Sequence, residues 1–160
     1  MIILLMGVTG AGKTTIGRAL AAQLHWRFAD ADDYHSAANI AQMHAGIPLT
    51  DQDRAPWLQT LRQLISTWLA AGESAVLACS ALKAAYRDTL RIGPEVKLVY
   101  LRANLELIRA RVAARGGSYM NPQLVPSQFA TLEEPQDAVM VDASRPVEEC
   151  VHAIRSALKI

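Results

Sequence analysis

Gly7-Val8-Thr9-Gly10-Ala11-Gly12-Lys13-Thr14 fits the pattern G-x-x-x-x-G-K-[ST], and what flanks it decides how it is read. Before it, Ile2-Ile3-Leu4-Leu5-Met6 is an unbroken apolar run, as expected of a strand buried on both faces. After it, Ile16, Leu20 and Leu24 recur every fourth residue, which predicts a helix with one buried stripe. Strand, glycine-rich turn and helix is the context in which this pattern works. The glycines let the backbone curl with its N–H groups turned inward, a nest for phosphate oxygens at the positive end of a helix. Lys13 is then placed to reach the β- and γ-phosphates, and the Thr14 hydroxyl to ligate Mg²⁺. A nucleoside triphosphate is the expected ligand.

The remainder of the chain is what such a loop needs around it. At 160 residues, 51% apolar and 19% charged, it suits one soluble domain, 1–160, with a real core. A formal net charge of +1 without a basic block argues against long nucleic acid. No apolar run approaches the ~20 residues that span a bilayer, so no membrane partner is expected. Cys79 and Cys150 show no paired spacing and read as buried thiols of a reducing compartment, with a cytoplasmic location as the expectation.

Apolar runs and helical periods alternate along the chain. Further strands are expected at Trp26–Asp30, Ala75–Cys79, Val96–Leu101 and Ala138–Val141. A short helix is expected around His35–Ala45, and a long one from an Asp53 cap, with Pro56 in its first turn, to Gly72. Ser80 is read as the cap of the next helix, and Asn104 as opening another. Five buried strands alternating with helices imply an α/β fold of three layers, a parallel sheet flanked by helices. Ligands gather at the carboxyl ends of such strands, where Gly7–Thr14, Asp30–His35, Cys79–Lys83 and Asp142–Pro146 all fall.

The chemistry can be narrowed. The N-K-x-D and D-x-x-G elements of a GTPase switch do not occur, and the third strand ends in Cys79-Ser80 where hydrolytic ATPases carry an acid. Small-molecule kinases instead take an acid from the second strand, and Asp30 and Asp32 leave that strand two residues apart, on one side. One could hold Mg²⁺ and the other face an acceptor hydroxyl; solvated turn carboxylates are the alternative. Arg111 and Arg115 share a helix face one turn apart, just before Gly116-Gly117. They read as a mobile guanidinium cover for the γ-phosphate, or else as a helix-end pair complementing the dipole.

Taken together, these segments resemble gluconate kinases of the small P-loop, shikimate-kinase-like type, over nearly the whole chain. The specific blocks are Asp30-Ala31-Asp32-Asp33-Tyr34-His35, then Asn39-Ile40 with Met43, Gly46-Ile47-Pro48-Leu49 and Asp51-Gln52-Asp53-Arg54-Ala55-Pro56-Trp57-Leu58. Cys79-Ser80-Ala81-Leu82-Lys83 with Tyr86-Arg87-Asp88, and Ser127-Gln128-Phe129-Ala130-Thr131-Leu132-Glu133-Glu134-Pro135, complete the set. The resemblance implies a P-loop nucleoside-kinase fold with a lid at about 111–135. It implies ATP and Mg²⁺ as cofactors, transfer of the γ-phosphoryl group to the 6-hydroxyl of D-gluconate, and commonly a homodimer. The nucleotide set it implies is Gly7, Val8, Thr9, Gly10, Ala11, Gly12, Lys13, Thr14 and Thr15 with Arg111 and Pro146. Thr14 and Asp30 would hold the metal, and Lys13, Asp32, Arg111 and Arg115 would carry catalysis. Asp32, His35, Arg54, Lys83 and Arg87 would form the sugar-acid wall, with a cationic clamp for the carboxylate in Arg54 and either Lys83 or Arg87.

The chain departs from the family pattern at Ala31 (usually Gly), at Ser36 (commonly Pro) and at Ser118-Tyr119-Met120, where the lid usually carries a histidine. Two other readings stand beside gluconate: the same fold acting on another small hydroxylated acid such as shikimate, and a nucleotide-binding protein that no longer turns over. Against the second, Lys13, Asp32, Arg111 and Arg115 are all present.

Overall fold

The expected first strand is β1, Ile2–Met6, and every one of its residues is buried in the structure, a computed structural model describing residues 1–115 and 121–160. Its neighbours are β3 (Ala75–Ala78) on one side and β4 (Val96–Arg102) on the other, with β2 (Arg27–Asp30) and β5 (Val139–Asp142) at the edges. The order is β2-β3-β1-β4-β5 and every pairing is parallel. The three central strands are apolar and buried apart from Lys97 and Arg102 of β4. The two edge strands are not, and the expectation of five buried strands holds only for the middle of the sheet. Arg27 is exposed, and Phe28, Ala29 and Asp30 are half-buried.

Alternation along β1 divides the core in two. Ile3 and Leu5 face α1 (Lys13–Leu24), α5 (Leu105–Arg115) and α7 (Val147–Leu158), packing among Ile16, Leu20, Ile108 and Ile154. Ile2, Leu4 and Met6 face the other layer, α3 (Asp51–Ala70) and α4 (Ala84–Leu90), with Trp57, Leu61, Ile65 and Leu90. Each fully buried residue of this kind contributes about 1.5–3 kcal/mol of transfer free energy, so β1 anchors whatever is attached to its end. Cys79 and Cys150 are both buried free thiols.

Several boundaries differ from the sequence reading, each for a local reason. Thr50, not Asp53, caps α3: the Thr50 hydroxyl accepts from the Asp53 N–H at 3.0 Å while the Asp53 carboxylate accepts from the Thr50 N–H at 2.9 Å. The helix thus starts earlier and Pro56 lies inside it, one turn further in than expected. Ser80 is not a cap; α4 begins at Ala84 after Lys83, because Ala81 at φ 44° breaks the chain direction. Ser36 caps α2 (Ala37–His44), its hydroxyl accepting from the Asn39 N–H. The last helical stretch before β5 is α6 (Val125–Thr131), preceded by a 3₁₀ turn at Pro122–Leu124. Ser118 and the neighbouring Tyr119 and Met120, together with Gly116-Gly117, lie outside the described residues.

Candidate active site

The phosphate loop leaves the end of β1 and turns into α1 through two left-handed glycines, Gly10 (φ 77°) and Gly12 (φ 98°). A side chain at either position would strain this turn, a glycine-rich bend into a helix N-terminus of the kind that forms a phosphate nest. Across it lies Lys13, whose ammonium donates to the Val8 carbonyl at 2.9 Å. Burial holds its pKa below the ordinary lysine value, opposed by the nearby Asp32, Cys79 and Asp30. A charge so poorly hydrated gains most from an anion in the loop. Thr15 sits exposed on the first turn of α1.

Asp30 and Asp32 do meet at this centre, though through a tighter device than strand alternation. Asp30 ends β2 and caps a 3₁₀ turn, Ala31–Tyr34, one carboxylate oxygen accepting from the Asp32 N–H at 3.0 Å. The other accepts from the Thr14 hydroxyl at 2.7 Å, so the second strand and the phosphate loop are joined through these two side chains. A hydroxyl and a carboxylate side by side at a phosphate nest are hard oxygen donors. That set fits Mg²⁺, which keeps most of its waters and takes only one or two protein oxygens beside phosphate. Asp32 itself is pushed up to about 6, chiefly by burial, with Lys13 pulling the other way.

Facing the carboxylates is a wall built from α2, the start of α3 and α4. His35 stacks on Trp57, ring centroids 4.2 Å apart and planes 12° from parallel. Burial and the Arg54 charge lower the His35 pKa to about 4, so the ring is neutral at physiological pH. Trp57 is fixed in turn by its indole N–H, donating to the Ala31 carbonyl at 2.7 Å. Asn39, buried, donates to the Asp53 carbonyl at 3.0 Å and contacts His35 Nδ1 at 3.4 Å. The Arg54 guanidinium donates to the Leu49 carbonyl at 2.8 Å and to the Tyr86 hydroxyl at 3.2 Å.

The other two expected wall cations, Lys83 and Arg87, are engaged as well. Lys83 forms an ion pair with Asp51 at 2.8 Å, and the Tyr86 hydroxyl donates to the same carboxylate. Hydrogen bonds from Lys83 and then Tyr86 hold Asp51 below the usual carboxylate range. Arg87 is buried, and its guanidinium donates to the Ala81 and Leu82 carbonyls at 2.9 and 3.0 Å, bracing the strained turn that carries Lys83. Asn39, Asp51, Trp57 and Tyr86 stand in this wall too, beyond the residues expected of it from the sequence. Their presence in the family-typical blocks was the available signal.

On the far side of the phosphate loop, Arg111 donates to the carbonyls of Gly10 (3.2 Å), Ala11 (3.4 Å) and Ala143 (2.6 Å). It ties the loop to the turn after β5, next to an open groove of about 950 Å³ lined in part by Asn104, Leu105, Asp142, Ser144 and Arg145. Pro146 directly follows that lining and precedes α7. Asp142 is occupied with this turn, one oxygen accepting from the Ser144 N–H at 2.9 Å and from its hydroxyl at 2.6 Å. Arg115, one turn beyond Arg111, is exposed, yet its charge acts on Lys13. The Thr9 N–H, on the loop itself, donates to the Gln128 side-chain carbonyl at 2.7 Å.

A family described as "AAA domain" matches residues 2–137. The chain is 40% identical to a probable gluconokinase of Mus musculus, over 99% of this chain and 97% of that protein. It is 42% identical to the thermosensitive gluconokinase of Escherichia coli K12, over 97% of this chain and 86% of that one. The crystal structure of a gluconokinase from Sinorhizobium meliloti 1021 superposes with a TM-score of 0.87 at 38% identity, covering 98% of this chain and 90% of the other.

Proposed function

The chain belongs to the gluconokinase family of P-loop kinases, and from that premise we infer that it transfers the γ-phosphoryl group of ATP to the 6-hydroxyl of D-gluconate. The observation that carries the reading is the pairing of Lys13 with Asp32 at one centre, opposite the neutral His35 and the Arg54 guanidinium. Lys13 meets the phosphates, where a positive charge answers the charge of the transferring group. Asp32, ionised above about pH 6, accepts the hydrogen bond of the attacking hydroxyl and can take its proton. The stacked His35–Trp57 pair offers a neutral, half-apolar surface suited to a polyol chain, and Arg54 offers a charge-assisted bond to the carboxylate. Lys83, held in its ion pair, and Arg87, held on backbone carbonyls, shape that wall around it.

Thr14 and Asp30 are the residues that would hold Mg²⁺, which would supply positive charge against that of the phosphates. Arg115, whose charge reaches Lys13, would add charge to the transferring phosphoryl, and Arg111 would shape the loop and the nucleotide groove. A homodimer and a cytoplasmic location are part of the proposal. No helix among the described residues is long and apolar enough to cross a membrane. Shikimate, the alternative acceptor, draws no support from the relatives at 40–42% identity, which are named gluconokinases. ADP release measured with gluconate, shikimate and other sugar acids tests the assignment. Turnover specific to gluconate, lost in Lys13→Ala, is expected; equal or greater turnover of shikimate would overturn it.

A further inference from the structure

The segment from Asn121 to Glu134 touches both the phosphate loop and the acceptor wall. At its start, the Asn121 amide donates to the His44 carbonyl at the end of α2, at 3.2 Å. Leu124 is buried in a small cluster with Met43 and Leu49, which brackets the entry to α3. At its end, the Glu133 N–H donates to the Leu82 carbonyl at 2.8 Å, and the Glu133 carboxylate accepts from the Ala84 N–H at 3.0 Å. Between these anchors on the acceptor wall lies Gln128, whose side-chain carbonyl takes the Thr9 N–H of the phosphate loop at 2.7 Å. Val125, one turn before it, is buried in the same cluster as Val8 and Ala11.

We propose that Gln128 is a positioning residue that links the phosphate loop to the acceptor wall, so that gluconate and ATP strengthen each other's binding. The inference rests on the kinase reading above. Thr9 donates its N–H outside the phosphate nest, to a side chain, and an amide left without that partner would let the apex of the loop relax. The segment bearing the acceptor oxygen is fixed at both ends to elements that hold Arg54, Tyr86 and Lys83. Ordering of that wall by the sugar acid therefore orders Gln128, and through it the loop. By linkage the effect is reciprocal.

Calorimetric titration of a non-hydrolysable ATP analogue, with and without saturating gluconate, tests the link. In the wild type gluconate should tighten the analogue by roughly fivefold or more, the lower end of ordinary site coupling. Gln128→Ala should bring that ratio close to one while each ligand still binds. Gln128→Glu keeps an acceptor oxygen, so the ratio should persist although the added negative charge weakens the analogue in both conditions. Asn121→Ala, remote from the phosphates, should reduce the ratio as well, and it decides the matter if Gln128→Ala fails to fold. A wild type that turns gluconate over without any such ratio, or a Gln128→Ala protein that keeps it, overturns the coupling alone. A wild type that takes up no gluconate overturns the acceptor assignment and the coupling with it.

Discussion

Burial pushes Asp32 up to about 6 from an ordinary value near 3.8, so folding and chemistry make opposite demands on one carboxyl. The folded protein holds the proton more tightly than the unfolded chain. Stability linked to Asp32 is therefore fullest below about pH 4 and is lost as the pH rises towards 6, while the proton-accepting form appears over the same interval. Asp32→Asn should remove that penalty. At pH 7.5 its Tm should rise by a few degrees, at about 2–4 °C per kcal/mol, and gluconate should still bind. Its kcat should fall by ~10²–10⁴, the usual worth of general-base help. The acidic limb of the wild-type kcat profile, centred near 6, should be missing from the residual rate. Scanning calorimetry and a pH–rate series decide it: an unchanged kcat would make Asp32 a positioning group only. His35 adds the reverse dependence. Its pKa is lowered to about 4 in the fold, so its contribution is intact above about 6.5 and fades as the pH falls towards 4.

The N-terminus of α3 shows how a helix start serves a pocket. The reciprocal Thr50–Asp53 bonds fix the first turn, and that turn carries Asp51 and Arg54 into the acceptor wall. Thr50→Ala should cost about 1 kcal/mol and raise the gluconate KM with little change in kcat. Thermal denaturation and steady-state kinetics would separate the two effects, and a wild-type KM would show that the pocket tolerates a frayed helix. In α5, two arginines one turn apart stand in different surroundings, one bonded to backbone carbonyls and the other exposed. Arg111→Ala removes the guanidinium that holds the carbonyls of Gly10, Ala11 and Ala143, so it should raise the ATP KM and lower Tm. Arg115→Ala leaves those bonds in place and should lower kcat by tenfold or more, as ~10³–10⁵ is the range for a full arginine finger. Identical kinetic signatures from the two mutants would contradict this division. The sequence showed both arginines on one face, but which of them turns back to the backbone depends on where β5 ends, and helical spacing does not carry that. The same holds for Lys83 and Arg87: both are cationic and nearby in sequence, and only the strained turn at Ala81 shows why one is spent on carbonyls.

At the scale of the molecule, the alternating pattern was enough for a parallel sheet between two helical layers, and the glycine-lysine loop was enough for the donor half of the site. Strand order was not legible, since it arises from which buried faces match across the sheet. Nor was the bond from Thr9 to Gln128, since the family-typical block that holds Gln128 lies far along the chain and says nothing of what its side chain meets. The order β2-β3-β1-β4-β5 has a further consequence. The nucleotide loop hangs from a strand paired on both sides, while the acid-bearing turn hangs from a half-exposed edge strand. Amide protons of Ile3 to Leu5 should exchange with deuterium only when the whole domain opens, and those of Phe28 to Asp30 much sooner, through local fraying. On warming, the enzyme should thus lose its grip on the sugar acid while it still holds nucleotide, and partial denaturation should leave an ATP-binding remnant with no acceptor to phosphorylate.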